Sequence, residues 1–215
     1  MTAVVVIAKE CLPGRVKTRL SPPFSRSAAA RLAAASLDDT LSTVASLRVS
    51  RRVLYFDGSQ APAAALASGF EVLPQIGGGL DERLAHLFDV LAEPTLLVGM
   101  DTPQLGAPDV AAALASLAHG GDDGVDCWFG PAADGGFWAL GMREPRGDLV
   151  RGVPMSRGDT GALQRRRLEE AGLAVGMLAV LTDVDTAVEA SVAAALAPGS
   201  RFAREFRRLT EGRPA

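Results

Sequence analysis

Ala3-Val4-Val5-Val6-Ile7 is an unbroken apolar run, mostly β-branched, and it ends at Lys9 after Ala8. Such side chains without polar alternation fit a strand buried on both faces, as at the centre of a parallel sheet. Outward from it, a basic loop containing Pro13 and Gly14 runs from Lys9 to about Phe24. An Ala-rich helix is predicted over Ser25–Leu47, with Leu37, Leu41 and Val44 on one face and Ser25 or Ser27 as its cap. Further strands are read at Arg52–Phe56, Glu71–Leu73, Thr95–Val98, Val125–Phe129 and Phe137–Met142, with one strand or two in Ala174–Leu181. Helices are read at Ala61–Ser68, Leu80–Leu91, Pro108–Leu117, Ala162–Gly172 and Ala187–Leu196. This alternation predicts an α/β fold, a three-layer α/β/α arrangement on a mostly parallel sheet. No repeat or linker interrupts it, so residues 1–215 are read as one domain. A basic amphipathic tail over about 199–215 carries Phe202, Phe206 and Leu209 and is expected to pack on the domain or on a partner.

The 215 residues are 48% hydrophobic, enough for one substantial core. The formal net charge is −3, so no general positive field invites nucleic acid, and clusters of Lys and Arg read as local devices. Cys11 and Cys127 have no metal-ligand spacing and fit a reducing cytoplasm. His86 and His119 are the only histidines, which nearly excludes a His-based metal cluster. The N-terminal apolar stretch is too short for a signal peptide. The uncharged Ala171–Thr182 stretch falls well short of the ~20 residues a membrane helix needs. The expectation is a soluble cytoplasmic protein without a membrane or nucleic-acid partner.

Candidate chemistry begins directly after the first strand. Lys9, Arg15, Lys17 and Arg19 fall in one loop, where Gly14 lets the backbone approach a ligand and Thr18 adds a hydroxyl. Ligands of open α/β sheets bind at the carboxyl ends of strands, and cations with exposed amides suit a di- or triphosphate. The same loop also reads as a plain solvated one, and it lacks the pattern of a P-loop. Asp101, in Gly99-Met100-Asp101-Thr102-Pro103, is either a hard oxygen ligand for Mg2+ or Mn2+ or a turn residue before a helix. Asp134-Gly135-Gly136 is either a backbone-exposing turn beside a ligand or a hairpin turn. Asp183 and Asp185 point the same way if the chain is extended; together they invite a cation, or else they mark a helix start. Gln75, Glu82 and Arg83 flank a triple-glycine loop at 77–79. Arg83 there reaches a phosphate or sugar, or pairs with Glu82 or Asp81. Trp138 is read as core, or as lining an acceptor pocket.

Four motifs occur in order: Lys9 with Pro13-Gly14-Arg15-Val16-Lys17-Thr18-Arg19-Leu20; Gly99-Met100-Asp101-Thr102-Pro103-Gln104-Leu105; Gly130 through Gly141; and Asp183-Val184-Asp185-Thr186. Over roughly residues 3–196 the chain resembles the bacterial glycosyltransferase-A-like family DUF2064, often labelled arsenosugar-biosynthesis-type glycosyltransferases. The resemblance implies a nucleotide-diphospho-sugar transferase fold. It implies a nucleotide held by Lys9, Pro13, Gly14, Arg15, Lys17, Thr18, Arg19, Arg83 and Asp101. It also implies Mg2+ or Mn2+ on Asp101 with Asp185 as second ligand and Asp134 as the competitor for that place. Lys17, Arg19 and Asp134 are the expected catalytic residues; Gly135, Gly136, Trp138, Ser156 and Arg157 are the expected contacts to a small-molecule acceptor. Three positions depart from the family: Cys11 for Pro, Gly79-Leu80-Asp81 for Asp-Leu-Gly, and Met155-Ser156-Arg157 for Trp-Ser-Thr. A further similarity, of Lys17-Thr18-Arg19-Leu20-Ser21 and its helix to 2-phospholactate guanylyltransferases, keeps nucleotidyl transfer beside glycosyl transfer. A non-catalytic nucleotide-binding protein is the third reading. Dimers are common in such folds, so a homodimer is among the expected states.

Overall fold

A computed structural model describes residues 2–118 and 123–211. Its sheet is built around the opening apolar run. Strand β1 (Ala3–Lys9) pairs in parallel with β2 (Arg51–Asp57) on one side and with β4 (Thr95–Gly99) on the other. Strand β3 (Glu71–Pro74) continues beyond β2, again in parallel. On the other flank β6 (Phe137–Met142) runs antiparallel to both β4 and β5 (Cys127–Pro131), and β7 (Val175–Met177) lies parallel to β5. The order is β3-β2-β1-β4-β6-β5-β7, so only β6 runs against the rest.

Alternation along β1 assigns its side chains to two layers. Val4, Val6 and Ala8 face a core shared with α1 (Arg26–Ser46) and α4 (Ala107–Ala118), through Leu37, Leu41, Val44, Val110 and Leu117. Val5 faces the opposite core, where Leu84, Leu87 and Phe88 of α3 (Leu80–Val90) and Leu168 of α5 (Thr160–Glu170) pack. Both layers close over a strand that reads as continuously apolar, and this produces the expected α/β/α sandwich. Ser25 caps α1, its hydroxyl accepting from Ala28 N–H at 3.1 Å. A short α2 (Ala63–Ala67) links β2 to β3. No helix among the described residues is long and apolar enough to cross a membrane.

The tail forms a helix, α7 (Arg201–Glu211), laid against α1 and α6 (Ala187–Leu196). Phe202 is 1% exposed in a third apolar cluster with Leu20, Phe24, Leu32, Val184 and Ala193. The cluster ties the tail to the end of the basic loop and to the segment carrying Asp185. The positions 212–215 of the tail, and His119, lie outside the described residues.

Most boundaries shift by a residue or two from the sequence reading, as with α2, read over Ala61–Ser68 and found over Ala63–Ala67, and three of the differences have a visible cause or change an element. Strand β5 starts at Cys127 rather than Val125, because the Val125 carbonyl accepts from the Arg143 guanidinium at 2.7 and 3.1 Å instead of joining the ladder. Helix α5 starts at Thr160 rather than Ala162: the Thr160 hydroxyl accepts from Arg157 N–H and donates to the Pro154 carbonyl, so the first turn is fixed there. Of Ala174–Leu181, only Val175–Met177 is a strand, and Leu181 adds a lone bridge to Ala132.

Candidate functional site

The carboxyl ends of β1 and β4 lie side by side at the centre of the sheet, and the neighbour of β4 runs antiparallel. A cavity of about 720 Å³ opens over these ends, within the range of small-molecule sites. Lys9, Gly99, Met100 and Asp101 form its floor beside Arg19, Asp183 and Asp185. Gln75 and Arg83 line it too, as do Asp134, Gly136, Ser156 and Arg157. A smaller pocket of about 170 Å³ is lined by Lys9, Lys17, Thr18, Arg19, Asp101 and Asp185.

Lys17 is the least exposed of the four cations in the first loop. Its Nζ lies 2.8 Å from Asp101 Oδ2 and 2.8 Å from Asp185 Oδ1, with 8% of the side chain exposed. Burial works against the ammonium, but Asp101 and then Asp185 outweigh it and raise the Lys17 pKa above its ordinary value. Asp185 also has Arg19 at 3.4 Å; although burial works against the carboxylate, Lys17 above all holds its pKa below the usual range. Val184 N–H donates to the Asp101 carbonyl at 2.9 Å, stitching the two acidic segments together. Glu189 fixes the other end. Its Oε2 accepts from Asp185 N–H at 2.9 Å and Thr186 N–H at 2.6 Å, the reciprocal half of a capping box at the start of α6.

Asp183 faces the same cavity as Asp185, as alternation in an extended segment requires. Burial, and then the Asp101 carboxylate, push its pKa up to about 7. The Cys11 thiol is likewise pushed up to about 12 by burial and by Asp101, which makes it a poor nucleophile.

Arg83 reaches the cavity from α3 and pairs with neither Glu82 nor Asp81. Its NH1 donates to Gln75 Oε1 at 2.8 Å and lies 3.5 Å from Asp57 Oδ2. Gln75 is itself held, its amide donating to the Ala8 and Tyr55 carbonyls at 2.9 Å each. Arg83 Nε is buried without a partner. Glu82 instead accepts from Gly79 N–H, and Asp81 accepts from Gly152 N–H.

The Asp134-Gly135-Gly136 stretch is a hairpin turn and a cavity wall at once. Asp134 Oδ1 accepts from Gly136 N–H at 2.8 Å, and its side chain lines the cavity. Gly135 points the other way, against the Gly158 carbonyl, while Gly161 N–H donates to the Gly135 carbonyl at 2.8 Å. Ser156 sits at φ 59, a left-handed conformation, and Arg157 forms a two-pronged pair with Asp159 at 2.9 and 3.0 Å. Trp138 touches the cavity wall, but its ring is 2% exposed and its Nε1 donates to the Ala179 carbonyl at 3.0 Å. The indole therefore supports the wall rather than offering a stacking face.

The structure gathers Lys9, Lys17, Thr18, Arg19, Asp101 and Asp185 at one end, with Arg83, Asp134, Gly136, Ser156 and Arg157 around the wider cavity. Pro13, Gly14, Arg15 and Gly135 line neither space. Gln75 and Glu189 join the site without having been read from sequence as binding residues, and Asp183, read there as one of a cation-inviting pair, lines it too. The Thr186–Glu189 spacing is a readable capping signature; Gln75 carries no local signal.

Among the described residues, no three His, Cys, Asp or Glu side chains converge as a metal-holding group. A divalent cation on Asp101 and Asp185 would take the rest of its ~6 oxygens from phosphate and water. Asp101 Oδ1 is buried without a hydrogen-bond donor, so a hard oxygen is available. This donor chemistry fits Mg2+ or Mn2+.

The sheet order and layers match those of a nucleotide-diphospho-sugar transferase fold. The chain belongs to the family described as "Uncharacterized protein conserved in bacteria (DUF2064)", whose profile matches residues 40–157. The matched segment includes Asp101, Asp134, Ser156 and Arg157, and leaves Lys17 and Asp185 outside. The chain is similar to a Desulfovibrio desulfuricans G20 protein provisionally named a nucleotide-diphospho-sugar transferase, with TM-score 0.81 and 26% identity over 98% of this chain and 94% of that one. In fold it is also similar to CMP:2-keto-3-deoxy-manno-octonic acid synthetase complexed with CTP, with TM-score 0.57 and 16% identity over 92% and 98% of the two chains. A third similar fold is glucosyl-3-phosphoglycerate synthase from Mycobacterium tuberculosis, in complex with Mn2+, UDP and glucosyl-3-phosphoglycerate, with TM-score 0.53 and 13% identity over 100% and 81%. No curated protein sequence matches the chain.

Proposed function

We propose that the protein is a metal-dependent transferase that moves a glycosyl group from a nucleotide-diphospho-sugar to a small acceptor. The observation that carries this reading is the convergence of Lys9, Lys17 and Arg19 with Asp101 and Asp185 near the carboxyl ends of β1 and β4: all five line the smaller pocket, and all but Lys17 also line the main cavity. Cations at that edge suit a diphosphate. The likeness to the Desulfovibrio desulfuricans protein supports a nucleotide-sugar donor.

Asp101 and Asp185 would hold Mg2+ or Mn2+, which supplies charge to neutralise the leaving diphosphate. Lys9, Lys17 and Arg19 bind the diphosphate oxygens and stabilise the charge that develops as the sugar–oxygen bond breaks. Asp134, fixed by Gly136 N–H across the cavity, takes the proton from the acceptor hydroxyl as it attacks the anomeric carbon with inversion. Gly136, Ser156 and Arg157 shape the acceptor side, with Trp138 as backing.

A second reading is nucleotidyl transfer from a nucleoside triphosphate to a phosphorylated small molecule. The pocket of about 170 Å³ beside the cavity favours it, because its Lys9, Lys17, Thr18 and Arg19 lining suits further phosphate. The test supplies nucleotide sugars with acceptors, or triphosphates with phosphorylated metabolites, under Mn2+, and identifies what is released. Nucleoside diphosphate release supports glycosyl transfer; pyrophosphate release replaces it with nucleotidyl transfer.

A further inference from the structure

Lys17 occupies the position that the functional reading reserves for a metal. Its ammonium touches Asp101 Oδ2 and Asp185 Oδ1 at 2.8 Å each, and these two carboxylates are the pair assigned to the divalent cation. A dication and an ammonium cannot share the space between the same two oxygens, because like charges at such separations repel strongly in a site shielded from water. The Lys17 side chain is 8% exposed while those of Asp101 and Asp185 are 34% and 36% exposed, so solvent reaches the carboxylates from the outer side but screens the ammonium little.

The backbone is adapted to this placement. Lys17 has φ 47 and ψ 43, and among the described residues only Ser156 shares a positive φ without being glycine. A left-handed conformation is disfavoured for a lysine, so the side chain's two ion pairs hold it against a backbone preference. The adjoining pocket offers the ammonium somewhere to go. Lys9, Thr18 and Arg19 line it beside Lys17, with Asp101 and Asp185 as its two carboxylates; once those carboxylates hold a metal, its three side-chain cations face an anion without competition.

We infer that Lys17 is a resident counter-ion standing in the divalent-cation position of the ligand-free protein, and that metal and nucleotide phosphate enter together by displacing it. The inference rests on the reading of Asp101 and Asp185 as metal ligands. Metal alone must evict a well-paired ammonium, so it binds weakly. When a phosphate arrives, the ammonium exchanges its carboxylate partners for phosphate oxygens, and the vacated carboxylates take the metal. The site therefore rejects free metal and accepts a metal–nucleotide complex.

The test is Mn2+ binding without nucleotide, read from the electron paramagnetic resonance signal of the free ion, on the full chain and on Lys17→Met and Lys17→Gln. Both variants are expected to bind Mn2+ at least about tenfold more tightly than the parent, the smallest factor associated with one charge-assisted contact. Mn2+ should also raise the melting temperature of the variants more than that of the parent, a readout that survives partial destabilisation. Lys17→Gln keeps an amide that can donate to a carboxylate, and so serves if Lys17→Met folds poorly. Variants that bind Mn2+ no more tightly than the parent overturn the inference alone, provided Asp101→Asn still abolishes nucleotide-dependent Mn2+ binding in the parent. Tight binding in Lys17→Met that survives a further Asp101→Asn places the ion elsewhere and overturns both the inference and the ligand assignment.

Discussion

Replacing Gly135 by Ala tests how the two walls of the cavity are joined. Gly135 has φ +89, and a methyl group there would fall on the carbonyl carbon and oxygen of Gly158. Those are backbone atoms and cannot swing aside as a side chain would. The left-handed conformation alone costs an alanine ~1 kcal/mol. Relieving the overlap adds ~1–3 kcal/mol, as overpacking in a closed site does. It also lifts the turn away from Gly161, whose N–H donates to the Gly135 carbonyl at 2.8 Å, a bond worth ~1 kcal/mol net. Together the loss is ~3–5 kcal/mol, or a fall in Tm of roughly 10 °C for a chain of this length. Gly172→Ala is the control: its φ is +78, but nothing lies within 4 Å of a methyl group there, so only ~1 kcal/mol should be lost. Urea denaturation of both variants separates the contributions. If Gly135→Ala is no more destabilising than Gly172→Ala, the hairpin and the 156–161 segment are not locked together, and the placement of Asp134 relative to Arg157 loses its basis.

Phe202→Ala should cost ~3–5 kcal/mol by urea denaturation, because its ring is 1% exposed between α1 and α6; a loss under ~1 kcal/mol would show that α7 is not part of the core. Asp183 gives a pH prediction with a definite sign. Its pKa in the folded chain is pushed up to about 7 by burial and by Asp101, against ~3.9 unfolded. Between those values the folded chain holds a proton that the unfolded chain has released. The contribution of Asp183 to the stability of chelator-treated protein should therefore fall as pH rises from ~4 through ~7, so the stability difference between the parent and Asp183→Asn should change with pH over that window. An unchanged pH slope in Asp183→Asn would remove Asp183 as its source.

What was legible in the sequence follows from local physics. The Ala3–Ile7 run announced a strand buried on both sides, and the structure sets it between two parallel neighbours. The position of Asp101 after an apolar strand, and the two-residue spacing of Asp183 and Asp185, placed all three on the cavity. What was not legible depends on contacts between distant segments. Nothing near Gln75 marks it as the support of Arg83, because its own anchors are carbonyls on β1 and β2. Arg83 was open to pairing with Glu82 or Asp81 until those two were seen to be occupied by Gly79 and Gly152. The burial of Lys17 between two carboxylates likewise brings together residues 84 and 168 positions apart along the chain. The tail read as amphipathic, but its helix and its seat on α1 depend on Phe24 and Leu32 far upstream.

The proposed role of the Lys9–Arg19 loop and Asp101 is to grip a nucleotide's phosphates together through a divalent cation. It is tested most directly by thermal unfolding of the parent chain and of Asp101→Asn with a panel of nucleoside di- and triphosphates, each with and without Mn2+. At least one nucleotide with Mn2+, at ~100 times its Kd, should stabilise the parent by ~2.7 kcal/mol, a rise of roughly 5–10 °C. Asp101→Asn should lose most of that rise. Equal rises in both proteins, or no rise with any nucleotide in the presence of metal, would contradict it.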